Sequence, residues 1–339
     1  MSASAKSLPT VQVHALSGGH FSLPEEQFVF PSSPSAARSS VPSLCFLIQH
    51  KTPISGCNTR IIFDLGVRRD VQRYSEPIQR HVATRQPMTT DPDVVKSLGV
   101  SGGLTPGDIH CVIYSHVHWD HVGEPRDFPS STFIVGHGSL ALLGGTSTTL
   151  RGGHSFFEAD LLDPARTIEL SDPSERNMSL LNSKDDGPTM DSVASDIAKP
   201  QDLQLDKPWG ALSDFSLPST LDLFGDGSLH IVDAPGHLPG HINLLARISS
   251  EEGGTRWVYL AGDSCHDRRI MRGEREIGEW KDQHGHTCCI HADRSGAEDT
   301  IRRIQGLEAL GVEVIFAHDV EWEADVRNAN RFWGAMGPG

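Results

Sequence analysis

The chain has 339 residues, of which 37% are hydrophobic and 22% charged, so it can bury a core and is not disordered as a whole. Its net charge of −15 argues against a protein whose main task is to bind nucleic-acid phosphates. Its apolar runs fall far short of the roughly 20 residues of a membrane-spanning helix. The first nine residues lack the apolar segment of a secretory signal. Six cysteines are too few for a disulfide scaffold, so we expect a cytoplasmic protein.

Short apolar runs along the chain predict buried strands. They lie at residues 11–16, 44–50, 60–64, 111–115, 133–135, 229–233, 257–261 and 312–317. Helices are predicted over residues 90–98 and 297–310, the second from a single apolar stripe at three-residue steps. Residues 31–42 are rich in Ser and Pro and indicate a loop. The length fits one large domain with insertions or two small domains.

Residues 171–216 differ from the rest of the chain, because they are rich in Ser, Asp, Pro and Lys and have only weak periodicity. Such a composition is typical of a long excursion from the fold, either a disordered insertion or an irregular lid. Our hypothesis is that this segment covers a pocket.

The clearest signal in the sequence is a run of polar residues directly after the strand at residues 111–115. His116, His118, Asp120 and His121 place four potential metal ligands within six residues. Imidazoles and carboxylates cost free energy when buried unless they are paired or coordinated. His116 and His118 point the same way because side chains alternate along an extended chain. Asp120 and His121 follow in the next turn and can face a second ion beside the first.

Three further candidate ligands also follow apolar strands. His237 comes after a strand and a Pro-Gly turn, Asp263 follows the strand at residues 257–261, and His318 follows the last strand. Each of them alone would more often be a structural residue. As a set with the first cluster, they predict a metal site built from strand ends.

These motifs, in this order, resemble those of the metallo-β-lactamase superfamily over roughly residues 41–140 and 229–320. The run from His118 to Gly123 and the closing His318-Asp319 most resemble N-acyl-homoserine-lactone lactonases and related lactone or lactam hydrolases. The resemblance implies an α/β fold of the αββα sandwich type. We therefore expect a single domain over residues 1–339 that carries the insertion at about 171–216.

The resemblance also implies how two metal ions would be held. One ion is expected on His116, His118 and His237, and the other on Asp120, His121 and His318, with Asp263 bridging the two. His241 and Asp64 are then expected to support ligands rather than to bind metal.

This ligand set suits Zn²⁺, with Mn²⁺, Co²⁺ or Fe²⁺ as alternatives. Two ions about 3.5–4 Å apart turn a bridging water into a hydroxide that attacks an acyl carbon, and Asp120 is expected to move the proton. Many homoserine lactonases have a Tyr three residues after the bridging Asp, where this chain has His266. His266 is therefore a candidate proton donor to the leaving group, or else a polar wall of the pocket.

The expected function is the metal-dependent opening of a small cyclic ester or amide, as in a lactonase or lactamase. A thioesterase of the glyoxalase or acyl-carrier type on the same site is the alternative, and a phosphodiesterase or nuclease is a weaker one. The intact ligands disfavour a non-enzymatic relative. The expected partner is a small-molecule substrate, not a nucleic acid or a membrane, and the oligomeric state stays open. The His- and Cys-rich residues 284–291 indicate a loop near the pocket mouth rather than a separate zinc site.

Overall fold

The computed structural model describes residues 8–32, 37–52, 56, 58–100, 103–146, 156–175, 202–251, 253–282 and 284–335. Two six-stranded sheets form its centre. The first sheet contains, in spatial order, β1 (Val11–Pro24), β3 (Arg38–Lys51), β4 (Asn58–Phe63), β5 (Cys111–Ile113), β6 (Thr132–Val135) and β7 (Thr167–Glu169). The second contains β16 (Glu313–Ile315), β12 (Thr255–Leu260), β11 (Ile242–Ser249), β10 (Leu229–Asp233), β9 (Leu217–Asp222) and β8 (Gly210–Leu212).

Two small antiparallel pairs and short helices complete the described part of the chain. The pairs are β2 (Val29–Phe30) with β13 (Glu276–Ile277), and β14 (Glu279–Lys281) with β15 (Thr287–Cys289). The α-helices are α1 (Glu76–Ala83), α2 (Val94–Leu98), α3 (Trp119–Val122), α4 (Ser139–Leu143), α5 (Arg268–Met271), α6 (Arg294–Ala309) and α7 (Val320–Ala324). None of the helices in the described ranges is long and apolar enough to cross a membrane.

Side chains along the strands point alternately to the two faces of each sheet, and both faces are buried. The two sheets and the helices that cover their outer faces make four layers. On β4, Ile61 and Phe63 belong to the core between the sheets, together with Leu244 of β11. Ile62 points the other way and packs in the layer that includes Leu98 of α2. A sheet covered on both faces is made of such continuous apolar strands.

Helix α6 covers the outer face of the second sheet. Its buried residues Ile301, Ile304 and Leu307 belong to the same cluster as Leu245 and Tyr259 of that sheet. The helix confirms the expectation in kind, but it begins three residues early, at Arg294, and Leu310, the last residue of the expected stripe, is exposed after its end. The layer order of helix, sheet, sheet, helix confirms the α/β sandwich.

Several sequence-based boundaries were wrong, and two of them have a clear physical cause. The loop expected over residues 31–42 ends early, because β3 already begins at Arg38 and pairs with β1 as far as Pro24. The helix expected over residues 90–98 begins only at Val94, after Pro92, where the side chain of Asp93 accepts a hydrogen bond from the backbone N–H of Lys96. A proline disfavours helical backbone at the residue before it, so the helix starts later than its composition indicates.

The predicted excursion at residues 171–216 is partly built into the sandwich. Leu203, Leu205 and Trp209 lie in the core between the sheets, and β8 forms the edge of the second sheet. Residues 176–201 lie outside the described residues, so the insertion and the single-domain interpretation stay predictions.

Removing a side chain from the core between the sheets should destabilise the whole sandwich. Leu244→Ala leaves a cavity at a fully buried position, and we expect it to lower the free energy of unfolding by about 2–5 kcal/mol. Chemical denaturation followed by circular dichroism measures the change. Leu310→Ala, at a position 60% exposed just after α6, is the control and should change the stability by less than about 0.5 kcal/mol. Equal effects of the two substitutions would contradict this description of the core.

Candidate metal centre

The carboxyl ends of strands from both sheets meet at one edge of the sandwich. There the backbone N–H of Ile242 donates to the carbonyl of Ser115 at 2.8 Å, and that of Ala317 donates to the carbonyl of Gly262 at 3.0 Å. Gly262 has a positive φ of 46°, and a Cβ at this position would lie 2.8 Å from the Cβ of Ser115. The loops that follow β5, β12 and β16 are therefore locked together by backbone contacts.

All seven predicted metal ligands lie at this edge, and each is no more than 8% exposed. Three histidines form the first group, in which His118 Nδ1 lies 2.8 Å from His116 Nε2 and 3.0 Å from His237 Nε2. Together with a carboxylate oxygen of Asp263, their ligand atoms lie within 4.8 Å of one another. This is an arrangement in which three imidazole nitrogens and one carboxylate oxygen converge on a common point.

Asp120, His121 and His318 form the second group, whose ligand atoms also lie within 4.8 Å of one another. The Asp263 carboxylate lies between the two groups. Its Oδ1 is 3.1 Å from His121 Nε2 and 3.2 Å from His318 Nε2. Its Oδ2 faces the first group, at 3.5 Å from His237 Nε2. The two oxygens of one side chain thus point at two separate ligand groups.

The ring nitrogens that face away from the cluster have partners of their own. His318 Nδ1 donates to the carbonyl of Pro42 at 2.7 Å, and His121 Nδ1 lies 2.8 Å from Asp64 Oδ2. His241 donates from Nδ1 to a backbone carbonyl and accepts the N–H of Asp263 at Nε2. Contacts of this kind fix the tautomer and ring orientation of metal-binding histidines. They leave Nε2 of His121 and His318 aimed at the cluster.

Asp64 connects the first sheet to this cluster through an uncommon backbone conformation. Its φ is 63°, a value that few residues other than glycine adopt. In this conformation its carboxylate accepts hydrogen bonds from the N–H and the hydroxyl of Ser115, both at 2.7 Å, as well as facing His121. Asp64 therefore has the supporting position that the sequence predicts, outside the ligand groups.

The electrostatics of the cluster suit cations. Burial lowers the pKa of His116 and His237 well below the usual value, which keeps their rings neutral and able to offer a lone pair. Burial would also lower the pKa of His121, but the carboxylates of Asp263 and Asp64 raise it well above the usual value. His121 Nε2 and Asp263 Oδ1 are fully buried and face each other at 3.1 Å, but neither makes a hydrogen bond within the described residues. A divalent cation between such atoms would satisfy them, so the residues fit a metal site.

Comparisons with known proteins agree with this geometry. No family model matches the chain. It is 29% identical over 312 residues to metallo-hydrolase mfmC of Annulohypoxylon moriforme, covering 82% of this chain and 70% of that protein. It is 26% identical to gamma-lactamase FDB1 of Fusarium pseudograminearum, covering 72% of this chain and 50% of that protein.

The chain is also similar to part of a longer protein. It is 27% identical over 337 residues to cytochrome P450 monooxygenase mpaDE of Penicillium brevicompactum, covering 94% of this chain and 34% of that protein. The chain therefore spans about one third of the length of that relative.

Among solved structures, an N-acyl homoserine lactone hydrolase with its product bound at the catalytic metal centre matches with a TM-score of 0.58 and 17% identity, covering 93% of this chain and 96% of that chain. A dizinc quorum-quenching lactonase matches with a TM-score of 0.51 and 12% identity, covering 92% and 88%. The chain thus shares the fold of these lactone hydrolases, and its sequence resembles lactamases and lactonases of the metallo-β-lactamase superfamily. Its relatives include proteins named as lactamases and lactonases, as the motifs predict.

The cluster of candidate ligands lines the floor of a cavity of about 490 Å³. His118, Asp120, His237, Asp263 and His318 all line it. Leu23, Phe28, Trp119, Trp280 and Ile290 supply apolar wall. No described residue of the segment 171–216 lines this cavity, so the hypothesis that this segment covers the pocket now concerns only residues outside the described ranges.

His266 lies in the wall of the same cavity. Its Nε2 is 3.1 Å from Asp263 Oδ2, its ring centre is 5.3 Å from that of Phe28, and its Nδ1 is buried without a partner in the described part of the chain. The structure thus places His266 beside both ligand groups and next to the space that a substrate would occupy.

His291 is a residue of this site that the sequence interpretation missed. It is 3% exposed, and its Nδ1 lies 3.3 Å from Nδ1 of His237, on the side of the ring that faces away from the cluster. The neighbouring Cys288 and Ile290 line the cavity, as expected of a loop at the pocket mouth. The only signal for His291 in the sequence is its place in the His- and Cys-rich run, which does not show that it reaches His237.

Replacing the carboxylate that faces both groups should cost most of the bound metal. We expect Asp263→Asn to weaken metal binding by at least about tenfold and to remove nearly all hydrolytic activity, measured by elemental analysis and by competition with a chelator. Asp233→Asn is the control, because Asp233 ends β10 in the same sheet but belongs to neither ligand group. A fully metallated Asp263→Asn protein would contradict the central position of this carboxylate.

Proposed function

We propose that this protein is a metal-dependent hydrolase that opens a small cyclic ester or amide, that is, a lactonase or lactamase. The observation that carries the proposal is the position of Asp263, with one oxygen facing each of two ligand groups at the floor of a substrate-sized cavity. The relatives named as gamma-lactamases and the fold shared with lactone hydrolases support the choice of substrate class.

The proposed centre holds two divalent ions, most readily Zn²⁺. His116, His118 and His237 would hold one ion, Asp120, His121 and His318 the other, and Asp263 would bridge them. When bound, such a pair supplies a hydroxide nucleophile at neutral pH and polarises the carbonyl of the substrate. The donor set of imidazoles and carboxylates is the set that Zn²⁺ prefers.

The remaining steps fall to side chains of the chain itself. Asp120 lines the cavity and is 3.5 Å from His318 Nε2, so its carboxylate is placed to receive and pass on a proton. His266 is placed to donate a hydrogen bond or a proton to the leaving oxygen or nitrogen of the opened ring. The apolar wall around Phe28 and Trp119 would bind the ring and exclude water.

Metal removal and readdition test the proposed reaction. We expect the purified protein to contain about two divalent ions, and dialysis against a chelator to abolish ring opening of γ-lactones or cyclic lactams, measured by proton release. Addition of Zn²⁺ should restore the activity. Full activity of the metal-free protein would contradict the proposal. Turnover only of thioesters or phosphodiesters in the same panel would keep the metal centre but reject ring opening.

The role of His266 can be separated from metal binding. We expect His266→Gln to lower kcat by about 100-fold while the metal content stays unchanged, because His266 acts on the leaving group. His230→Gln is the control, since His230 is a buried histidine of β10 that does not line the cavity. If His266→Gln loses metal in proportion to activity, His266 is a ligand and not a proton donor.

A further inference from the structure

The cavity above the metal centre also contains two arginines, Arg38 and Arg85, which we call the arginine pair. Arg85 follows helix α1 and is 9% exposed, whereas Arg38 opens strand β3 and is exposed to solvent. Both line the same cavity as His118, Asp120 and Asp263. Positive charge and candidate metal ligands therefore share one open cavity.

Neutral groups hold both guanidinium groups in place. Arg85 donates from Nη1 to Gln27 Oε1 at 3.1 Å and from Nε to His81 Nε2 at 3.4 Å. Arg38 donates from Nε to the hydroxyl of Ser22 at 2.8 Å, and from Nη2 to the carbonyls of Ser22 and Thr84. In the part of the chain that the structure describes, Nη2 of Arg85 and Nη1 of Arg38 make no hydrogen bond.

The arginine pair lacks the close carboxylate partners that two other arginines of the chain have. Arg68 pairs with Glu158 at 2.8 Å, and Arg268 pairs with Asp319 at 2.6 Å. Neither Arg38 nor Arg85 forms an ion pair with a carboxylate of the described residues, although the chain has 44 acidic residues. Burial lowers the pKa of Arg85; the carboxylate charge of Asp120 opposes this shift, and the charge of Arg38 adds to it. A buried cation beside a like charge is costly until an anion joins it.

Two carboxylates in the cavity wall do not fill this role. Asp282 accepts hydrogen bonds from the backbone N–H groups of His284 and His286 and faces the His286 ring. Glu26 is exposed and forms no ion pair with either arginine. The free N–H groups of the arginine pair thus remain open to a molecule that enters the cavity.

We propose that the arginine pair binds a carboxylate of the substrate, so that the preferred substrate is a lactone or lactam that carries a free carboxylate group. This inference rests on the proposed ring-opening function. A guanidinium group offers parallel N–H donors that match the two oxygens of a carboxylate. With the carboxylate held by the arginine pair, the ring is directed toward the metal centre at the floor of the same cavity. Arg85 and Arg38 are in this way specificity-determining residues.

The test compares a γ-lactone that has a free carboxylate with its methyl ester, using the metal-loaded full chain. We expect the wild-type protein to prefer the acid, and Arg85→Gln to raise KM for the acid by about 10- to 100-fold, the range of a charge-assisted hydrogen bond. The rise in KM should be smaller for the methyl ester, so that the ratio of kcat/KM for the acid to kcat/KM for the ester falls toward one in Arg85→Gln. Arg85→Lys keeps the positive charge but lacks the planar guanidinium group, so its KM for the acid should lie between those of the wild type and Arg85→Gln. This variant provides the test if Arg85→Gln folds poorly.

Arg60→Gln is the matched control. Arg60 lies on β4, has no ion-pair partner among the described residues, and does not line the cavity. The Arg60→Gln substitution removes the same positive charge from the chain but leaves the cavity intact. The acid-to-ester ratio of kcat/KM should therefore stay at the wild-type value. An equal fall of the ratio in Arg60→Gln would mean that overall charge, and not the arginine pair, selects the substrate.

A binding measurement separates this inference from the proposed function. By calorimetry on the metal-loaded protein, we expect benzoate to bind at least about fivefold more weakly to Arg85→Gln than to the wild type. If no ring substrate is opened but this difference is found, ring opening is rejected and the carboxylate site stands. If benzoate binding is the same in both proteins, or the acid-to-ester ratio does not change, the inference is overturned.

Discussion

The burial of many ionisable side chains at one place is the constraint that shapes this protein. Seven histidines and aspartates lie together at one edge of the sandwich, each no more than 8% exposed. Such groups resist burial unless something holds them in a fixed mutual arrangement. The sandwich does so with backbone contacts between loops of both sheets, such as that between Ile242 and Ser115. Two backbone features also let the loops approach closely at this edge. Asp64 adopts an uncommon positive φ, and Gly262 has no side chain that would collide with Ser115.

The sequence indicates the metal centre well because its signal is local. His116, His118, Asp120 and His121 lie within six residues, and the other ligands each follow a strand whose apolar residues are easily found. The packing order of the sheets could be expected only from the resemblance to a known superfamily. The strands β8 and β9 and the start of β3 were not expected, because their ends depend on pairing with distant strands rather than on local composition.

The residues around the candidate ligands could not be predicted from local sequence patterns. His291 is far from His237 in sequence, yet the two rings meet. Arg38 and Arg85 are far apart in sequence, and hydrogen bonds from the Arg38 side chain to Ser22 and to the carbonyl of Thr84, the residue before Arg85, bring the two arginines to one cavity. Nothing in the residues around either arginine marks it as part of a cavity. Such contacts arise from tertiary packing, so they are visible only in the folded chain.

The candidate metal ligands and the rest of the cavity wall come from different parts of the fold. The metal end consists of strand termini whose backbone is fixed by both large sheets, and a substitution there would disturb several ligands at once. Other parts of the wall are formed by residues 23–28, the region around Arg85 and the segment that contains Trp280 and Ile290. Leu23 belongs to β1 of the first large sheet, whereas small strand pairs such as β2 with β13 hold other parts of these segments. The candidate metal ligands thus lie at strand ends fixed by the large sheets, whereas much of the remaining cavity wall comes from loops and small strand pairs, where a substitution would leave these ligands in place.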